Sequence, residues 1–256
     1  MTLSLGGVRI LADTGFEIGE GEFVGVLGPN GAGKTTLMRA ILGLLPIQSG
    51  RVEVFGVPAR RGTPGIAYLP QSRTSPTLAA VSGRDFIASA VNGERWGMPL
   101  VSAAERKAVD EALAMVGGTD LARRPLSDMS GGQRQRLLIA GALIGRPRLL
   151  LLDEPLISLD QHQQHIIVDL VRRLSRELGL TVLFSAHELN QLLGAVDRIL
   201  YLGHGHAALG TVDEVVNPVT LSRLYGAPID VIRSGGQIFV MSGGAHVERE
   251  HHHDHA

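Results

Sequence analysis

The sequence predicts an α/β fold: a mostly parallel sheet with a helical insert in its middle. Three observations predict it. The runs Phe23–Leu27, Leu149–Leu152 and Thr181–Ser185 are continuously apolar or nearly so, as strands covered on both faces are. Helical spacing of apolar residues follows the first run over Leu37–Leu45 and the second over His162–Leu178. Between these two strand-helix pairs, from about Pro76 to Arg146, the pattern is helical throughout. Strand-helix alternation on both sides of an insert requires crossover connections, which belong to parallel sheets.

Composition bounds the function. At 256 residues, 44% hydrophobic and 19% charged, the chain can bury a substantial core. A net charge of -1 lacks the basic footprint of a nucleic-acid binder, so no nucleic-acid partner is expected. With no cysteine, disulfides and thiolate metal sites are excluded. The opening MTLSLGGVRI has no charged segment leading into an apolar one, so no secretory signal is expected. Apolar stretches fall short of the ~18 residues of a membrane span. The expectation is a soluble, cytoplasmic chain whose membrane-spanning partner, if it has one, is another polypeptide. Arginine supplies nearly all the positive charge; Lys34 and Lys107 are the only lysines.

The elements follow in order. Thr2–Ile18 alternates enough for one or two strands of a smaller sheet, and Arg51–Val57 and Gly65–Leu69 read as further strands between Gly and Pro punctuation. Ala103–Val116 places Val109, Ala112, Leu113 and Val116 on one stripe, stopped by Gly117-Gly118. Arg134–Ile144 is a second good helix. The helix His162–Leu178 ends at Gly179, and Arg198–Leu202 is another strand. Ile229–Ile232 and Ile238–Met241 flank Ser234-Gly235-Gly236, the pattern of a hairpin, and a polar tail follows. No internal repeat is present.

Two motifs carry phosphate chemistry. Gly28-Pro29-Asn30-Gly31-Ala32-Gly33-Lys34-Thr35 matches G-x-x-x-x-G-K-[ST], between a strand and a helix. Its glycines let backbone N–H groups approach phosphate oxygens, the stretch runs on to Thr36, and the helix that follows adds its positive end. Lys34 would reach the β- and γ-phosphates of ATP, and the Thr35 hydroxyl would ligate Mg²⁺. About 120 residues on, Leu149–Leu152 ends in Asp153-Glu154. There Asp153 would hold Mg²⁺ and Glu154 would deprotonate the attacking water.

Ser130-Gly131-Gly132-Gln133 opens the helix over 134–144 and so forms a second helix N-terminus suited to phosphate. One γ-phosphate cannot sit at both N-termini of a monomer if the insert lies far from the loop. A head-to-tail dimer, each chain completing its partner's site, resolves this. The alternative for Ser130 is an ordinary helix cap.

Together these motifs resemble the ATP-binding cassette (ABC) family of P-loop ATPases over roughly residues 1–226. The resemblance implies a mostly parallel core with a small antiparallel β part and a helical part at about 76–146, leaving 227–256 as an extension. It implies that Gln71, in Tyr68-Leu69-Pro70-Gln71, senses the γ-phosphate and Mg²⁺ and links to a transmembrane permease. Asp160, in Ser158-Leu159-Asp160, would communicate across the dimer, and His187, in Ser185-Ala186-His187-Glu188, would contact the γ-phosphate. Apart from the resemblance, Gln71 reads as a turn residue, Asp160 as a helix cap and His187 as a satisfied polar residue. Three positions depart from the pattern. An aromatic that stacks on adenine is expected 29 residues before Lys34, which (34 minus 29) is Leu5. Met129 stands where leucine is common, and Leu156-Ile157 where a small or hydroxyl residue is usual.

Cargo is bounded more loosely. The stretch from Tyr225, YGAPIDVIRSGGQIFV, resembles the C-terminal end of ATPase subunits of zinc and manganese importers. The last six residues hold His251, His252, His253 and His255 around Asp254, a donor set suited to Zn²⁺. A purification tag or a plain polar tail is the alternative, although Asp254 interrupts the unbroken run that a tag normally has. His204 and His206 could add ligands, though at a turn they read as surface residues. The expectation is the ATPase of a divalent-metal importer on the cytoplasmic face of the membrane, served indirectly by a substrate-binding protein. Another cargo, an exporter, or a soluble ABC ATPase are the rival readings.

Overall fold

The computed structural model describes residues 1–5, 8–12, 14–71, 80–91 and 102–242. Twelve strands and seven α-helices order those residues. Strands β1 (Leu3–Leu5) and β2 (Val8–Leu11) form an antiparallel pair, with an irregularity between Leu3 and Ser4. Next come β3 (Phe23–Leu27), α1 (Lys34–Ile41), β4 (Glu53–Val54), β5 (Val57–Pro58) and β6 (Ile66–Leu69). Helices α2 (Gly83–Val91), α3 (Ala103–Met115) and α4 (Gly131–Leu143) fill the middle. Then follow β7 (Leu149–Leu152), α5 (Gln161–Leu178), β8 (Thr181–Ser185), β9 (Arg198–Gly203) and β10 (His206–Gly210). The described chain closes with α6 (Val212–Val215), α7 (Pro218–Tyr225), β11 (Ile229–Ser234) and β12 (Gln237–Ser242).

The central sheet has the order β10-β9-β3-β8-β7-β6, parallel except for the edge strand β10. The strands β3, β7 and β8 are buried at every position, which is why they read as unbroken apolar runs. One face carries Val24, Val26, Leu151, Leu183 and Leu200 against α1 and the small β1–β2 sheet. The other carries Phe23, Leu150, Leu152 and Phe184 against the middle helices, α5 and α7.

Local chemistry sets the boundaries. Helix α1 starts at Lys34, three residues before the expected Leu37, because Gly33 at φ 100° turns the loop directly into it. The expected strand Arg51–Val57 is instead the β4–β5 hairpin, broken by Phe55 and Gly56, both at positive φ. Ser102 and Glu105 form a capping box at α3, and Asp160 caps α5, accepting from the Gln163 N–H at 2.8 Å. The hairpin β11–β12 turns at Gly235-Gly236, as expected. Asn190 clamps it to the body, its amide donating to the Ile238 carbonyl and accepting from the Ile238 N–H, both at 2.9 Å.

One ion pair fastens α5 to the sheet. Arg172 holds Asp197 by two hydrogen bonds, one of 2.8 Å, and the Phe23 N–H donates to the same carboxylate at 2.8 Å. Chiefly through the Arg172 bonds, and against burial, the Asp197 carboxyl is held below its ordinary range. A depressed folded value means stability that is present above the unfolded value, about pH 4, and lost as pH falls through the folded one. Asp197→Asn is therefore expected to melt lower at neutral pH and to lose less stability on acidification. Melting curves from about pH 7 to about pH 3 check it; identical acid slopes in both proteins refute it.

Candidate nucleotide site

The Gly-rich loop lies between β3 and α1, at the carboxyl end of the parallel sheet, where open α/β sheets hold ligands. Two of its glycines are required by space. Gly28 has φ 141°, and a Cβ there would lie 2.2 Å from the Leu202 carbonyl oxygen of β9. Gly33, at φ 100°, would place one 2.1 Å from Ile10 Cγ2. No side chain caps α1, so the first N–H groups of the helix, at Lys34, Thr35 and Thr36, remain for an anion. Pro29, Asn30 and Gly31 form the exposed outer arc of the loop, and Ala32 is half-buried.

Lys34 is 5% exposed. Its Nζ donates to the Gly28 carbonyl at 2.9 Å and the Pro29 carbonyl at 3.5 Å, and lies 3.8 Å from Glu154 Oε1. Burial lowers its pKa, opposed by the Glu154 and Asp153 carboxylates.

Side chains from three elements converge on Asp153, 2% exposed at the end of β7. The Thr35 and Ser185 hydroxyls donate to Oδ1, and the Tyr68 hydroxyl donates to Oδ2, each at 3.1 Å. Burial, then the Asp153 carboxylate, push the Tyr68 phenol up to about 12, so it remains a proton donor. Thr35 and Asp153 thus present oxygen donors side by side, the hard all-oxygen set that fits Mg²⁺.

Glu154 is held beside Asp153 in the left-handed region, at φ 51°. Its N–H donates to Ser185 Oγ at 2.7 Å. Its Oε2 accepts from Gln71 Nε2 at 2.9 Å and lies 3.0 Å from His187 Nε2. With the proton on Nε2, His187 donates there too. The structure therefore brings together Lys34, Thr35, Gln71, Asp153, Glu154 and His187. Gln71 meets Glu154 through its amide nitrogen, not Asp153.

Other expected residues lie apart. Ser130 caps α4, accepting from the Gln133 N–H at 3.2 Å while Gln133 Oε1 accepts from the Ser130 N–H at 2.9 Å. Among the described residues, no hydrogen bond or ion pair joins Ser130–Gln133 or Asp160 to the loop. Gly131 and Gly132 instead abut Leu159 and Gln163 at the start of α5. Leu156 is buried and Ile157 45% exposed. Leu5 ends β1, but its side chain lies outside the described residues, as do His251, His252, His253 and His255. Among the described residues no cluster of three or more His, Cys, Asp or Glu could hold a metal. His204 and His206 instead line, with Ile10 and Ala32, a cleft of about 570 Å³ beside the loop. Sequence reasoning missed Tyr68 and Ser185 as partners of Asp153.

The family model for ABC transporters matches residues 11–157, which include the loop and both carboxylates. The chain belongs to the ABC transporter family. This ABC chain is 33% identical over 226 residues to the zinc import ATP-binding protein ZnuC of Ruegeria pomeroyi, covering 88% of this chain and 82% of that one. It is 36% identical over 247 residues to the hemin import ATP-binding protein HmuV of Bordetella pertussis, covering 91% and 92%. Among solved structures it superposes on cbiO1 of Clostridium perfringens, part of the ABC transporter complex cbiONQ. That match has a TM-score of 0.74 and 27% identity, covering 87% of this chain and 90% of that one. Like the family's ATP-binding subunits, the ABC chain is an ATPase. Among the described residues no helix is long and apolar enough to cross a membrane.

Proposed function

We propose that this chain is the ATPase subunit of an importer for a divalent metal, zinc or manganese, working as a head-to-tail dimer beneath a separate permease. The observation that carries the ATPase site is the convergence of Lys34, Gln71, Asp153, Glu154 and His187 from loops after four parallel strands. In this reading the loop N–H groups at 31–36 and Lys34 bind the β- and γ-phosphates. Thr35, Asp153 and the Gln71 carbonyl would hold Mg²⁺, which neutralises phosphate charge when bound. Glu154 takes the proton of the attacking water at a carboxylate oxygen, with Gln71 and His187 orienting that carboxylate. His187 is 42% exposed and free to turn to the γ-phosphate.

The helix N-terminus at Ser130 supports the dimer, since it is phosphate-suited yet, among the described residues, has no hydrogen bond or ion pair to its own loop. Asp160 and Leu5 are assigned from the motif pattern alone: the one at the partner's loop, the other over adenine. Dimer closure with ATP and reopening after hydrolysis would drive the permease, placing this chain on the cytoplasmic face of the membrane.

The cargo reading is supported by the likeness to ZnuC and by the C-terminal histidines, proposed as a weak Zn²⁺ site that reports excess metal. The HmuV likeness favours a second reading, a metal held in an organic chelate. Uptake decides between them. Cells lacking the chain should lose accumulation of Zn²⁺ or Mn²⁺, keep that of hemin, and regain the metal with wild type. Loss of hemin uptake alone would overturn the divalent-metal reading. A chain ending at Arg249 should restore uptake but lose its inhibition by excess Zn²⁺, if the histidines are the sensor.

A further inference from the structure

We propose that Tyr68 and Ser185 are positioning residues that aim the Asp153 carboxylate at its metal and tie it to the backbone of Glu154. The inference rests on the reading of Thr35 and Asp153 as Mg²⁺ ligands. A carboxylate as buried as Asp153 must have its oxygens satisfied, and here all three donors are neutral hydroxyls. No guanidinium or ammonium hydrogen-bonds it among the described residues. A bonded cation would cancel the charge that draws Mg²⁺; a hydroxyl orients the carboxylate and leaves that charge in place.

The division between the oxygens gives direction. Oδ1, bonded to Thr35, faces the other metal donor. Tyr68, on Oδ2, stops the carboxylate rotating about its bond to Cβ and so keeps Oδ1 on that side. Ser185 acts twice. Its hydroxyl donates to Oδ1 and accepts the Glu154 N–H at 2.7 Å, the shortest bond in the site. Glu154 sits at φ 51°, a region a glutamate occupies only when its surroundings hold it. The fully buried Ser185 is the group placed to do so. The relay from the Glu154 N–H through Ser185 to Asp153 couples the metal carboxylate to the peptide that presents the base.

The test compares wild type, Tyr68→Phe, Ser185→Ala and Asp153→Ala as full-length chains. Binding of a fluorescent ADP analogue is measured with excess Mg²⁺ and with EDTA, and Mn²⁺ binding to the ADP-bound chain is followed by electron paramagnetic resonance. Tyr68→Phe should weaken Mg²⁺-dependent ADP binding and Mn²⁺ binding about fivefold, the worth of one neutral hydrogen bond, with EDTA binding unchanged. Ser185→Ala should do at least as much. If Tyr68→Phe matches wild type in both readouts while Asp153→Ala loses metal dependence, the positioning role is overturned and the metal site stands. Equal weakening with and without Mg²⁺ shows a merely structural role and also overturns it. Retention of metal dependence by Asp153→Ala overturns the metal assignment, and the positioning role with it. Should Ser185→Ala not fold, Tyr68→Phe, which removes one oxygen atom, decides alone.

Discussion

Glu154→Gln is expected to bind MgATP about as tightly as wild type and to hydrolyse it at least about a hundredfold more slowly. The amide keeps the length and shape of the side chain, so the enclosure by Gln71 and His187 survives with rearranged hydrogen bonds. It cannot accept a proton from water. It also removes the anion 3.8 Å from Lys34, one of the two carboxylates that compete with phosphate for that ammonium. ATP bound but not cleaved should accumulate as dimer, visible by light scattering in the presence of the membrane partner. Turnover within about threefold of wild type would place the base elsewhere.

Lys34→Ala is expected to abolish measurable hydrolysis and weaken ATP binding by roughly 10- to 100-fold, the range of a hydrogen bond to a charged group. Lys34 is the only lysine in the loop, and its Nζ is already directed along the loop by the Gly28 and Pro29 carbonyls. Its loss also exposes any bound phosphate to the unopposed charges of Asp153 and Glu154. Calorimetric titration with ATP, beside a circular dichroism spectrum to show the fold intact, measures it. An affinity within about twofold of wild type would mean that the backbone N–H groups alone hold the phosphates.

The core of this fold was legible because burial on both faces leaves a plain signature. Leu149–Leu152 and Thr181–Ser185 are strands with the expected bounds, and α5 begins one residue before the expected His162 because Asp160 caps it. The loop and the pair Asp153-Glu154 were legible because their chemistry is local: neighbours in sequence do one job. What was missed is what tertiary contact decides. The strand β10 is an edge partner of β9 whose His206-Ala207-Ala208 carries little β propensity of its own. Tyr68 and Ser185 belong to β6 and β8, and only the sheet order, with β7 between them, brings both hydroxyls to Asp153. No spacing in the chain marks that meeting.

The strand order also governs when the site comes into being. Neither neighbour of β3 is close to it in sequence: Gly21 reaches Thr181, 160 residues on, and Phe23 reaches Asp197, 174 residues on. As the chain leaves the ribosome, the strand that carries the phosphate loop thus waits with both edges bare until most of the polypeptide has followed. Pairings so distant form late because a long loop must close first, and bare apolar edges invite pairing with other chains. A truncated product ending between Glu154 and the start of β8 would hold the whole Gly-rich loop and both carboxylates. It would still lack the frame that turns them toward one another, and its risk is aggregation, not partial activity.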